Sequence, residues 1–114
     1  MALHYNLSKV YALSDDNSEF VIQLVTLFVT EIPEDLLEIK EGIKKNNHKH
    51  AYSHAHKIKP SFDLLGLKTA FEEILQLEAW AIAEGEKKEI KETFKSINNQ
   101  VDEAVKELKK DFAL

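Results

Sequence analysis

Only three glycines and two prolines interrupt 114 residues, and almost every stretch between them repeats apolar side chains at steps of three and four. A chain with so few breakers and that period has one ready way to hide its apolar surface, as amphipathic helices packed on one another. No segment sustains the alternation of a strand. Apolar residues make up 44% of the chain and charged residues 31%, which supports a packed core and argues against global disorder. The length suits one domain over residues 1–114 rather than two.

The period and the breakers divide the chain. A short turn or helix at about residues 7–13 precedes Ser14-Asp15-Asp16-Asn17-Ser18, a run of side chains that accept hydrogen bonds from free helix N–H groups and so signal a start. The next helix is expected to reach about residue 32, with Phe20, Leu24, Leu27 and Phe28 inward and Val21 and Val25 widening the face. Pro33 marks a break there, as a first-turn proline would. A helix over 34–45 follows on Leu36, Ile39 and Ile43, ended by Asn46-Asn47, where a left-handed cap is tolerated. Another covers 48–65. Residues 67–84 carry a broad apolar face of Phe71, Ile74, Leu75, Leu77 and Trp80, closed by Gly85, and 87–112 repeats Ile90, Phe94, Ile97, Val101, Val105, Leu108 and Phe112. Short connections favour antiparallel neighbours. The expected fold is all-α: an up-and-down antiparallel bundle of four or five helices, taken as four with a short extra N-terminal helix.

Several functions are excluded or disfavoured. Without cysteine there is no disulfide, thiolate metal site or thiol nucleophile. The N-terminal residues lack a basic segment followed by an apolar run, and no uncharged apolar stretch of about 18 residues occurs, so a cytoplasmic protein without membrane contact is expected. Net charge is −5, yet residues 42–62 hold five lysines and no acid. Such a positive island would steer an acidic surface or a phosphoryl group. All 15 basic residues are lysine, which leaves no arginine for bidentate base contacts and speaks against nucleic acid.

The island overlaps "HKHAYSHAHKIKPSFDLLG", residues 48–66, with four of the five histidines. On an ideal helix Ala51, Ala55, Ile58, Phe62 and Leu65 fall within about 80° of arc and define a buried stripe, and His56 lies roughly 140° from its centre. His56 therefore faces water. Lys59, three residues on, can bring its ammonium beside whatever the imidazole holds, and Tyr52 lies one turn before on the same side. Pro60 cannot donate the helical hydrogen bond to the carbonyl of His56, so a bend is expected there.

The run "AHKIKPSFDLLGL" resembles the signature of histidine-containing phosphotransfer domains, His-x-Leu-Lys-Gly-Ser with a later Leu-Gly on one helix. A looser similarity extends to the acidic helix start, to "LVTLFVTEIPEDLLEI" before the motif and to the two long helices after it. The resemblance implies a single helical-bundle domain of a two-component phosphorelay. His56 would be the phosphoacceptor, Lys59 the residue beside the phosphoryl group, and Gly66 the helix-ending glycine. The family commonly has glycine where this chain has Pro60, which bears on the local backbone path and on partner fit.

A neutral imidazole is a good nucleophile near pH 7, and Nε2, farther from the main chain, is the nitrogen expected to react. Phosphoryl transfer rests on in-line positioning and charge stabilisation, to which Lys59 would contribute directly and Lys57 and Lys49 diffusely. The resemblance implies response-regulator receiver domains and a sensor (hybrid) histidine kinase as partners, with Mg²⁺ and the acceptor aspartate in the receiver and no cofactor in this chain. No Gly-x-Gly-x-x-Gly or Walker run occurs, so the chain reads as a phosphocarrier, not a complete kinase. Tyr52, Lys57, Pro60 and Asp63 are the candidate partner contacts. Leu64 is better explained by packing, and Ser61 by a local hydrogen bond. A stand-alone monomer is expected.

Two rivals use the same residues. His50 and His54, spaced i, i+4, could share a zinc or nickel ion, with His48 or an acid from another helix completing the set. The local lack of Asp and Glu and of a His-Glu-x-x-His pattern weakens that reading, and no metal site is assigned from the sequence. The other rival is an inert protein-interaction bundle.

Overall fold

The computed structural model describes residues 4–114; Met1, Ala2 and Leu3, part of the N-terminal stretch read above for a leader, lie outside the described residues. The helices are α1 Ser8–Leu13, α2 Ser18–Lys44, α3 His48–Leu64, α4 Lys68–Ile82 and α5 Lys87–Asp111. No strand occurs among the described residues. Packing runs from α2 to α3, α3 to α4, α4 to α5 and α5 back to α2, so four long helices close around one core, and α1 leans on α2. No helix among the described residues is long and apolar enough to cross a membrane.

Local chemistry sets most of the ends. The Asn17 side chain accepts from the Phe20 N–H and the Asn47 side chain from the His50 N–H, each at 3.1 Å, satisfying donors that the first turn leaves free. Glu86 and Glu89 form a reciprocal capping box at the start of α5. Asn46, at φ 55°, and Gly66, at φ 70°, turn the chain after α2 and α3. After α4 the left-handed residue is Glu84, at φ 51°, not Gly85. What Gly85 provides is room: a Cβ there would run into the Trp80 indole, whose N–H donates to the Glu86 carbonyl at 2.8 Å.

Pro33 departs from the sequence expectation. It lies inside one continuous helix of 27 residues and does not separate two. An interior proline costs about 3 kcal/mol in helix propensity, but Val29, Ile32, Leu36 and Ile39 are all buried on either side of it. Burying a large aliphatic side chain is worth about 1.5–3 kcal/mol, so the stripe outweighs the local penalty. Continuity also sets the phase of α2. Val21, Val25, Phe28 and Ile32 point inward, whereas Phe20 and Leu27, expected in the core, are 45% and 47% exposed. The buried set advances by four, three and four residues, and that phase turns Phe20 and Leu27 outward. Leu75 of α4 is likewise on the surface, beside a stripe of Ala70, Ile74, Leu77 and Ala81.

α2 and α3 approach closely where Gly42 meets Ala51. A Cβ on Gly42 would lie 2.9 Å from the Ala51 nitrogen and 3.1 Å from the Asn47 oxygen, both backbone atoms that cannot swing aside. Alanine is favoured over glycine in a helix by about 1 kcal/mol, but overpacking costs about 1–3 kcal/mol. Gly42→Ala is therefore expected to destabilise the fold, read as a lower urea midpoint with an unchanged slope.

The N-terminal segment is fastened to the C-terminal ends of α3 and α5. The Asn6 N–H donates to the Leu65 carbonyl at 2.7 Å, and the Tyr5 hydroxyl donates to Asp111 at 2.8 Å. Burial, then the hydrogen bond to Asp111 and its charge, push the Tyr5 phenol from 10.0 up to about 12. An unfolded tyrosine ionises lower, so the stability held by this group is intact below its unfolded pKa and is lost as pH rises through that of the folded state. Ultraviolet titration should show one tyrosine ionising near pH 12, with stability falling over the preceding two units; Tyr5→Phe removes both signals.

Candidate functional site

The site is built on α3, whose stripe of Ala51, Ala55, Ile58 and Phe62 is buried, with Leu65 directly after the helix. That stripe leaves two flanks, one facing α2 and one facing α4. The helix runs unbroken through Pro60, which is exposed.

His56 lies on the α4 flank with its side chain 60% exposed. Its Nδ1 is 2.9 Å from Glu78 Oε2, and the Lys59 ammonium donates to Glu78 Oε1 at 3.1 Å. One carboxylate thus bridges the imidazole and the ammonium. Glu78 itself is only 7% exposed, so its charge sits where water screens it poorly and where a partner is required. The Tyr52 ring stacks on His56, 5.6 Å between centroids and 12° from parallel. An ionised carboxylate only accepts, so the neutral His56 ring carries its proton on Nδ1 and keeps the lone pair of Nε2 free.

The α2 flank repeats this arrangement two residues earlier. His54 Nδ1 is 2.7 Å from Asp35 Oδ1, and Lys57 reaches Asp35 at 3.3 Å. Asp35 is 4% exposed. α3 therefore offers a histidine and a lysine three residues apart to a buried acid on each side. Among the described residues, no buried side-chain nitrogen or oxygen lacks a hydrogen-bond partner.

The positive island of the sequence is largely neutralised in three dimensions. Lys57 and Lys59 are paired with acids from neighbouring helices, and Lys45 with Glu41 at 3.5 Å. The fold gathers His56, Lys59 and Tyr52 and commits the remaining candidates elsewhere: Lys57 to Asp35, and Asp63 to Lys9 at 2.6 Å. Leu64 is half-buried against the core. His48 donates its Nε2–H to the Gly85 carbonyl, 2.8 Å away, and packs on Trp80.

Sequence reasoning missed Glu78, Asp35 and Glu38. The first two had a visible signal. Glu78 falls in the Ile74, Leu77, Ala81 stripe and Asp35 in the Ile32, Leu36, Ile39 stripe, where an acid interrupts an apolar face and must be paired if buried. Glu38, exposed on α2, carried no such mark; it lies 3.3 Å from His50 Nε2.

The family model for the Hpt domain matches residues 23–111. Among solved structures, the chain resembles the HPT domain of an Hpt sensor hybrid histidine kinase from Shewanella, with a TM-score of 0.80 at 12% identity, covering 96% of this chain and 94% of that one. No curated protein matches the sequence significantly.

The Glu78 contact makes a spectroscopic prediction. In the native protein, nitrogen-15 correlation spectra near neutral pH should show neutral His56 as the Nδ1–H tautomer. Glu78→Leu should shift the ring toward Nε2–H, the form preferred by free imidazole side chains, and should leave Lys59 without its acceptor at a stability cost of about 1–3 kcal/mol.

Proposed function

Because the chain belongs to the Hpt domain family, whose members work with receiver domains and histidine kinases in phosphorelays, we propose that His56 is the residue on which it carries the phosphoryl group. The histidine phosphotransfer role comes with the family; the choice of His56 rests on the chain's own residues. The single observation that carries it is exposure within the bridged triad: His56 stands 60% exposed with its Nδ1 on a buried carboxylate that also holds an ammonium, whereas His54, in the matching arrangement on Asp35, is 25% exposed.

That arrangement suits a reversible transfer. Nε2 attacks the phosphorus of an aspartyl phosphate on a receiver domain, the P–N bond forms, and the P–O bond to the aspartyl carboxylate breaks, leaving the electron pair on that carboxylate. The ring retains its Nδ1 proton and becomes cationic, and Glu78 stabilises the charge as it develops. Lys59, held on the same carboxylate, sits one turn from the acceptor and offers its ammonium to the phosphoryl oxygens. A P–N bond to a cationic ring is weak, so the group is readily passed back to a carboxylate. The remaining electrostatics, including Mg²⁺, belong to the receiver. Tyr52 and the exposed Pro60, one turn before and one turn after His56, are contacts that a docking partner meets. Lys57 and Asp63, tied to Asp35 and Lys9, contribute through the shape and charge of the surrounding surface.

The test is to incubate the protein with a phosphorylated receiver domain and follow acid-labile, alkali-stable label. His56→Gln keeps a side-chain N–H donor for Glu78 and leaves Lys59 in place, should stay folded as read by circular dichroism, and should take up no label. Lys59→Ala is expected to slow transfer by about 10- to 100-fold through loss of charge stabilisation. Label that persists on the His56 variant moves the acceptor to another residue.

A further inference from the structure

A second constellation lies on the α2 flank, away from Glu78. Glu38, His50 and His54 each bring a donor atom to within 4.8 Å of the others. His50 and His54 are one helical turn apart, with rings meeting edge to face at 4.6 Å between centroids. His50 Nε2 stands 3.3 Å from Glu38 Oε1. Two ligands held at about 2.0–2.1 Å from one tetrahedral zinc ion are about 3.3 Å apart, so this pair already has the separation such an ion imposes.

The third ligand is prepared by a contact outside the cluster. Asp35, buried, is 2.7 Å from His54 Nδ1, which sets the tautomer, fixes the ring and leaves Nε2 as the coordinating nitrogen. A buried carboxylate behind a histidine is the usual outer partner of a metal-bound imidazole, and it raises the basicity of the ligand. The side chains of Glu38, His50 and His54 are 48%, 35% and 25% exposed, so an ion can enter from solvent. Two imidazoles with one carboxylate favour zinc-class ions over magnesium or calcium, which prefer all-oxygen shells.

We propose that Glu38, His50 and His54 bind one divalent transition-metal ion of the zinc class, with Asp35 orienting His54 and a water completing the tetrahedron. The ion would join α2 to α3 on the flank opposite Glu78. Its binding is independent of the phosphoryl chemistry at His56, and either assignment can fail without the other.

The experiment titrates zinc into the full, unphosphorylated chain against a chromogenic chelator and records cobalt(II) absorption on the same protein. The expected result is one ion per chain with a dissociation constant tighter than about 100 µM, and intense visible cobalt bands of a four-coordinate N/O site. His50→Ala and Glu38→Gln, both at surface positions, should each weaken binding more than about 10-fold, as should Asp35→Asn acting through His54. His56→Gln should bind zinc as the parent does. Circular dichroism of each variant confirms the fold. Binding weaker than that limit, binding that survives both His50→Ala and Glu38→Gln, or binding lost with His56→Gln overturns the proposal.

Discussion

Glu78 is a negative charge held inside a helical bundle, and it can be there only because α3 supplies both an imidazole and an ammonium to it. Removing one partner of a buried ion pair costs far more than the pair itself is worth, since the charge that remains has neither water nor counter-ion. The register of α3 on α4 is thereby constrained: sliding either helix by a residue would strand the carboxylate. Asp35 imposes the same condition between α3 and α2. Helix α3 is thus keyed on both flanks, and its position is determined by polar contacts as well as by the apolar stripe beneath it.

The packing that permits this is unusually close on one side. Ala51 and Ala55 keep the stripe low, and Gly42 lets the backbone of α2 come against the first turn of α3. Phe62, fully buried, then fills the wider space toward the other end. A graded stripe, small at the N-terminal end and large toward the C-terminal end, sets how near the flanks of α3 approach the acids of α2 and α4. The histidine side chains meet those acids directly, at 2.7 Å for His54 with Asp35 and 2.9 Å for His56 with Glu78.

Much of this was legible in the sequence. The three- and four-residue steps foretold helices, and the inward set Ala51, Ala55, Ile58, Phe62 and Leu65 is buried as the helical wheel implied. The outward setting of His56, the nearness of Tyr52 and the pairing of Lys59 with the same flank follow from position on one helix. Errors came where a local rule competed with packing. Pro33 signalled a break, and a long apolar stripe carried the helix through it. Phe20, Leu27 and Leu75 were expected on the inward faces, and the phase of the helices turned them outward.

Everything local to one helix could be read from the chain: period, caps, and which side chains share a face, because these depend on residues within a turn or two. What only the tertiary structure decided is which charges meet. Glu78 lies 22 residues from His56 and Asp35 lies 19 from His54, and no spacing rule spans such separations across a connection. The lysine-rich run therefore reads as a positive island in one dimension and as two neutralised flanks in three. Whether an imidazole presents a free Nε2 is settled by an acid on another helix, through the one hydrogen bond that fixes its proton.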